Sequence, residues 1–168
     1  MSDVKSFRGE FAFLSNLYNV PVEYRGIVYQ NSEAAFQAQK CADDGEKKRF
    51  TSISGVDAKR MGKRVALRED WEQVKFSVMT DIVREKFMQN PDLANKLRST
   101  GNARLEEGNT WGDRTWGTVN GQGKNMLGNI LMLVRLELSM EHPIPCNQSI
   151  RSLEHHSRRH ERDNKCER

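Results

Sequence analysis

No histidine occurs in the first 141 residues of this 168-residue chain; all four lie at positions 142, 155, 156 and 160. That absence removes Ser-His-Asp and Cys-His nucleophilic devices, histidine general bases and histidine-containing metal sites from the body of the protein. Chemistry there falls to carboxylates, lysine, tyrosine, amides and aromatic rings. Cysteine is also scarce. Cys41, Cys146 and Cys166 form an odd, scattered set that fits neither a disulfide framework nor a zinc site, and suits a reducing compartment. No run of about 18 apolar residues is present, and no charged-then-apolar leader opens the sequence. A cytoplasmic protein with no membrane association is expected.

Apolar residues are few as well: the hydrophobic fraction is 36% and the mean hydropathy −0.78, so part of the chain is expected to contribute nothing to a core. Residues 141–168 fit that description. They carry six basic and five acidic side chains, no aromatic ring and the run His155-His156-Ser157-Arg158-Arg159-His160. They read as a charged, histidine-containing, disordered tail behind a single domain at residues 1–140. Without that tail the excess of positive charge is small, 21 basic against 18 acidic side chains. The basic residues alternate with acids, as in Asp43-Asp44-Gly45-Glu46-Lys47-Lys48-Arg49, instead of forming the stripe a nucleic-acid-binding module uses.

The body reads as α+β, mainly α: one helical domain with a small N-terminal antiparallel sheet. Phe7 to Tyr29 consists of short apolar runs broken by Gly9, Asn16, Pro21 and Gly26, with Val20 to Tyr29 alternating around Arg25-Gly26 like a hairpin. Asn31-Ser32 caps a run of strong helix formers from Glu33 to Lys40. Short helices are expected over about 46–51 and 56–65. A longer one covers 71–88, with Trp71, Val74, Val78, Ile82 and Val83 at core spacing, and Pro91 opens another over 92–98. A strand is expected at 102–106. The most apolar helix closes the body at about 125–139.

On the capped helix, Glu33, Gln37 and Lys40 fall at i, i+4 and i+7 and share one face. Spacing alone favours a solvent face with an ordinary Glu–Lys relation. The segment Asn109 to Gly117 repeats Thr-Trp-Gly around Asp113-Arg114. Two tryptophans and two glycines in nine residues suit a pocket-forming loop, although either ring is equally suited to a core. The glycine-rich stretch 117–128 is not a P-loop, because Asn125 follows Gly123-Lys124 where Ser or Thr is needed. It is better suited to turning the chain so that Asn125 opens the last helix, whose free N–H groups suit a phosphate.

Taken together, Phe7-x-Gly9-Glu10-x-x-Phe13-Leu14-Ser15-Asn16, Ser32-Glu33-x-x-Phe36-Gln37-Ala38-x-Lys40, Asp113-Arg114-x-Trp116-Gly117 and Gly123-x-Asn125-x-Leu127-Gly128 resemble the NADAR (YbiA-like) family, in order and at plausible spacing. The resemblance implies a mainly helical domain acting as an N-glycosidase, with no cofactor and no metal. Its substrate would be nucleotide-like: a ribosylamine intermediate of riboflavin synthesis, or an ADP-ribosylated nucleobase, free or in nucleic acid. Catalysis is implied at Glu33 and Asp113, and substrate binding at Ser15, Asn16, Phe36, Gln37, Lys40, Trp71, Arg114, Trp116, Gly117 and Asn125. Relatives often carry a longer acidic segment after Trp-Gly, where this chain has only Thr118 to Gln122, leaving fewer carboxylates for the site.

Such residues suit one mechanism. Breaking a ribose–nitrogen bond builds positive charge on the sugar, which a carboxylate beside the anomeric carbon stabilises more in the transition state than in the ground state. Either Glu33 or Asp113 fits that role, with the other handling water. Trp71 or Trp116 would stack on the base, and Lys40, Arg64 and Arg114 are the candidates to hold phosphate. The alternative function is a non-catalytic module that binds ADP-ribose or another nucleotide.

Overall fold

The computed structural model describes residues 2–141. A 3-10 turn at Gly9–Leu14 leads into an antiparallel hairpin, β1 (Asn19–Tyr24) and β2 (Ile27–Asn31). Six helices follow: α1 (Ser32–Ala38), α2 (Asp44–Lys48), α3 (Gly55–Gly62), α4 (Trp71–Met88), α5 (Pro91–Ser99) and α6 (Met126–Glu141). The mainly helical α+β architecture is the one expected. Arg25 and Gly26 both adopt positive φ (51° and 81°), which gives the hairpin turn a twist matched to its strands and pairs Tyr24 with Ile27. The ladder is irregular between Asn19 and Val22, where Pro21 cannot donate.

The expected sheet shrinks to this one hairpin, because the segment before it coils into the 3-10 turn. The expected strand at 102–106 contributes a single parallel bridge, Val4 to Leu105. Backbone hydrogen bonds from Val4 N to the Arg104 carbonyl (2.9 Å) and from Glu106 N to the Val4 carbonyl (2.9 Å) fasten the N-terminus there. Pairing of two distant segments over one residue leaves no alternation for a sequence to display.

Helix α1 starts where its cap predicts: the Asn31 side chain accepts from Ala34 N at 2.7 Å and donates to the Ile53 carbonyl at 3.1 Å. All seven residues of α1 are buried, the polar ones included, because the helix packs against α3, α4 and the hairpin together. The Glu33–Gln37 face is therefore not the solvent face that spacing alone favours. Helix α4 is the other organiser, burying Val78, Met79, Ile82, Val83 and Phe87 against the hairpin, α1, α5 and α6. The 18-residue α4 and the 16-residue α6 bury one side each, and no described helix is long and apolar enough to cross a membrane. Of the charged tail read from the sequence, only Glu141 lies within the described residues, as the last residue of α6.

Candidate active site

A cleft of about 720 Å³ opens between the 3-10 turn, α1, α3 and the loop that follows Leu105; Glu33, Asn16, Lys59, Glu107 and Trp111 are among its walls. Glu33 sits in the first turn of α1, where the helix N-terminus favours a carboxylate. Its backbone N–H donates to the Asn16 carbonyl at 3.0 Å, joining the 3-10 turn to the helix. Gln37, one turn on, donates from Nε2 to Glu33 Oε1 at 2.7 Å. Burial raises the Glu33 carboxyl above the usual carboxylate range and the nearby negative charge of Asp113 adds to that, against the opposing pull of Lys59, the Gln37 hydrogen bond and Lys40.

Glu107 is the second carboxylate of the cleft. Burial pushes it up to about 7, with Lys59 opposing and the charges of Asp113 and Glu33 adding to the rise. Asn125, in the left-handed region at φ 50°, clamps this segment. Its Oδ1 accepts from Glu107 N at 3.0 Å and its Nδ2 donates to the Leu105 carbonyl at 2.8 Å. Gly117 lies where any Cβ would run into the Glu107 carbonyl, so the loop can close on the segment only with glycine there.

The implied site residues divide into three groups. Glu33, Ser15 and Asn16 line the cleft, and Asn16 Oδ1 has no hydrogen-bond partner among the described residues. Gln37, Asp113, Asn125 and Gly117 support it from behind. Asp113 Oδ1 accepts from Thr115 N and Trp116 N, both at 2.9 Å, and so shapes the loop, while its charge reaches both Glu33 and Glu107. Phe36, Trp71, Trp116, Lys40 and Arg114 do not line the cleft. Phe36 and Trp71 are buried with ring centroids 5.1 Å apart, and Trp116 meets Phe36 edge-on at 5.3 Å. Phe36 and Trp71 are thus core packing, and Trp116 is half-buried against them. Lys40 Nζ donates inward to the Gly62 carbonyl at 3.2 Å, and burial lowers its ammonium below the usual lysine range. Arg64 lines a separate cavity of about 440 Å³ beside α3.

Lys59, Trp111 and Glu107 line the cleft but are not among the implied site residues, although Trp111 belongs to the loop read as pocket-forming. Lys59, on α3, is coupled to both glutamates and lies 5.4 Å from the centroid of the Trp111 ring. Trp111, at the cleft wall, is 53% exposed. Glu107 offered one signal, its place two residues before the Asn109 to Gly117 loop. Behind the cleft, the fully buried Lys86 donates from Nζ to the Phe13 and Ser15 carbonyls at 2.6 and 2.9 Å, fixing the turn that carries Ser15 and Asn16. Burial lowers its ammonium to about 7.

The NADAR domain model matches residues 5–139. The N-glycosidase YbiA of Escherichia coli is 37% identical over 136 residues, covering 79% of this chain and 84% of that protein. A riboflavin biosynthesis protein of Vibrio vulnificus is 38% identical over 144 residues, covering 83% of this chain, which spans only 39% of the Vibrio protein's length. The solution structure of E. coli YbiA superposes with a TM-score of 0.73 at 36% identity, covering 84% of this chain and 88% of that one. A cleft holding two glutamates, framed by α1 and the Leu105–Gly117 segment, in a chain matched over nearly all its described length, thus belongs to a member of the NADAR domain family.

Proposed function

We propose that the chain is a metal-independent N-glycosidase that hydrolyses a ribose–nitrogen bond in a nucleotide-like substrate. The observation that carries this reading is the pair of glutamates, Glu33 buried and Glu107 half-buried, sharing one cleft with Lys59. Such a pair serves two carboxylate roles at once if their environments hold them in different protonation states. Glu33, assisted by Gln37 and Lys59, offers negative charge to the oxocarbenium-like sugar. Glu107, near 7, retains a proton at neutral pH and serves as the acid.

In the proposed step the anomeric carbon–nitrogen bond breaks with its electron pair passing to nitrogen, which takes the Glu107 proton. Water bonds to the anomeric carbon and gives its proton to the Glu107 carboxylate, so the acid is restored and the products are free base and sugar. Asn16 Oδ1 suits a sugar hydroxyl, and the open Trp111 ring suits the base. Asp113 acts through the loop and through its charge on both glutamates.

The substrate is a ribosylamine of riboflavin synthesis or an ADP-ribosylated nucleobase, acted on in the cytoplasm. The name of the E. coli relative, an N-glycosidase, favours the bond type, and that of the Vibrio relative, a riboflavin biosynthesis protein, favours the first of the two substrates. Single-turnover incubation with each substrate type tests the proposal. Release of free base and sugar supports it, and binding of both without release shows a nucleotide-binding module instead.

A further inference from the structure

The cleft sets two carboxylates, Glu33 and Glu107, against two cations, Lys59 and Arg8, and that raises the question of where a nucleotide's phosphates are received. Lys59 acts on both glutamates, which leaves Arg8, at the edge of the cleft, as the lining cation available to an anion. The lysine and arginines that the sequence offers for phosphate do not line the cleft: Lys40 turns inward to Gly62, Arg64 belongs to the cavity beside α3, and Arg114 is exposed.

A second cavity, of about 550 Å³, adjoins the cleft and shares Arg8 and Gly108 with it. Three cations line it, Lys5, Arg8 and Arg104, against one carboxylate, Glu106. Glu106 does not neutralise them closely. Its Oε1 is taken by the Thr118 hydroxyl at 2.6 Å, while Oε2 stands 3.6 Å from Lys5 and 3.9 Å from Arg104. Lys5 also lies 3.9 Å from Asp3. Arg8, at the boundary of the two cavities, makes no ion pair among the described residues.

The backbone builds this arrangement. The Val4–Leu105 bridge, continued by Gly108 N donating to the Lys5 carbonyl at 3.2 Å, brings the cationic N-terminal segment against the strand of chain that carries Glu107. Gly108 is the contact point, where a Cβ would collide with the Lys5 carbonyl. The segment that supplies the acid to one cavity thus supplies the wall of the other.

We infer that the Lys5–Arg8–Arg104 cavity is the phosphate subsite of the same ligand whose ribose occupies the cleft. The inference rests on the proposed function for what fills the cleft, and it assigns separate places to separate charges. The cationic sugar of the transition state meets glutamates, and the phosphate passes Arg8 into the basic cavity. The ligand chemistry is a phosphomonoester or diphosphate joined to a ribose.

Equilibrium binding of the full chain to ribose, ribose 5-phosphate and ADP-ribose, at low and high salt, tests the assignment. The two phosphorylated ligands bind more tightly than ribose, and salt weakens them selectively. Tighter binding of ribose 5-phosphate assigns a monoester to the cavity, and tighter binding of ADP-ribose a diphosphate. Reversing two cations in K5E/R104E lowers that affinity at least about tenfold, as loss of charge-assisted contacts does, and leaves ribose unaffected. Arg8→Gln, a milder change, lowers it in the same sense. The inference is overturned if wild type binds the phosphorylated ligands no better than ribose, or if both folded variants bind them as wild type does. If instead phosphate binding follows the expected pattern while no N-riboside is hydrolysed, the glycosidase reading fails and this subsite stands.

Discussion

Helix α1 and the segment from Leu105 to Gly117 each bring a glutamate to one cleft, by opposite means. Glu33 is placed by a capped helix buried on every side, so the backbone that fixes it also delivers Gln37 one turn later as a donor at 2.7 Å. Glu107 lies outside any helix or strand and is placed by amides: Asn125 holds its backbone, and Asn109 donates to the Glu107 and Thr118 carbonyls at 3.4 and 3.0 Å. No side-chain donor reaches the Glu107 carboxylate among the described residues. Burial raises both carboxyls: it carries Glu107 to about 7, and at Glu33 the charge of Lys59, the Gln37 hydrogen bond and Lys40 oppose the rise. The lesson is that two glutamates of one cleft differ in local support and not in residue type, and it is on that difference that the proposed division of tasks rests.

The largest expected effect breaks the helical side of that comparison. Glu33→Gln keeps size and one acceptor but removes the full charge, costing on the order of 3–4 kcal/mol in the chemical step, roughly two to three decades in kcat, with KM nearly unchanged. Unchanged single-turnover rates in a folded variant would remove Glu33 from the chemistry.

On the loop side, Trp111→Ala should raise KM by about 1–3 kcal/mol of lost stacking, with little change in kcat. Trp116→Phe should instead lower thermal stability and leave KM alone, because Trp116 packs on Phe36 and Phe76. Equal KM changes in the two would contradict the assignment of one ring to the ligand and the other to the core.

A smaller effect concerns stability. The native Glu107 carboxyl, near 7, lies above its ordinary value of 4.5. Its contribution is full below about 4.5 and is lost as pH rises through about 7. Glu107→Gln carries no such loss, so the variant should gain on wild type by about 1–3 kcal/mol between acidic and mildly alkaline pH, read by denaturant unfolding. A pH-independent difference would place Glu107 in water. Smallest of all, exhaustive chelation with EDTA should leave turnover unchanged; loss that a divalent ion restores would contradict the metal-independent mechanism.

Much of the scaffold was legible in the sequence because its signals are local. The Asn31 cap, the Arg25-Gly26 turn, the Trp71 to Met88 stripe and Pro91 at a helix start each act within a few residues. The expected helices match those observed to within a few residues at their ends. What surrounds a residue was not legible. Glu33 lay on a face whose spacing suits solvent, and only the packing of α3 and α4 over it turned that face into an interior. Lys59 sits among Asp57, Lys59 and Arg60, an ordinary polar run until α3 is placed against the cleft. Of the two rings favoured for a base, Trp71 is buried in the core and Trp116 is half-buried against it, whereas Trp111 is open. Glu107, ten residues before Gly117, reaches the cleft only through the fold of its loop and the clamp by Asn125, which no local spacing displays.

The pH dependence of kcat in wild type, Glu107→Gln and Glu33→Gln tests the division of labour most directly. The account predicts that wild-type kcat falls as pH rises through about 7, where Glu107 loses its proton. That fall should vanish in Glu107→Gln and survive, at a much lower rate, in Glu33→Gln. An alkaline limb near 7 that persists unchanged in Glu107→Gln would contradict the account, for the proton would then come from another group.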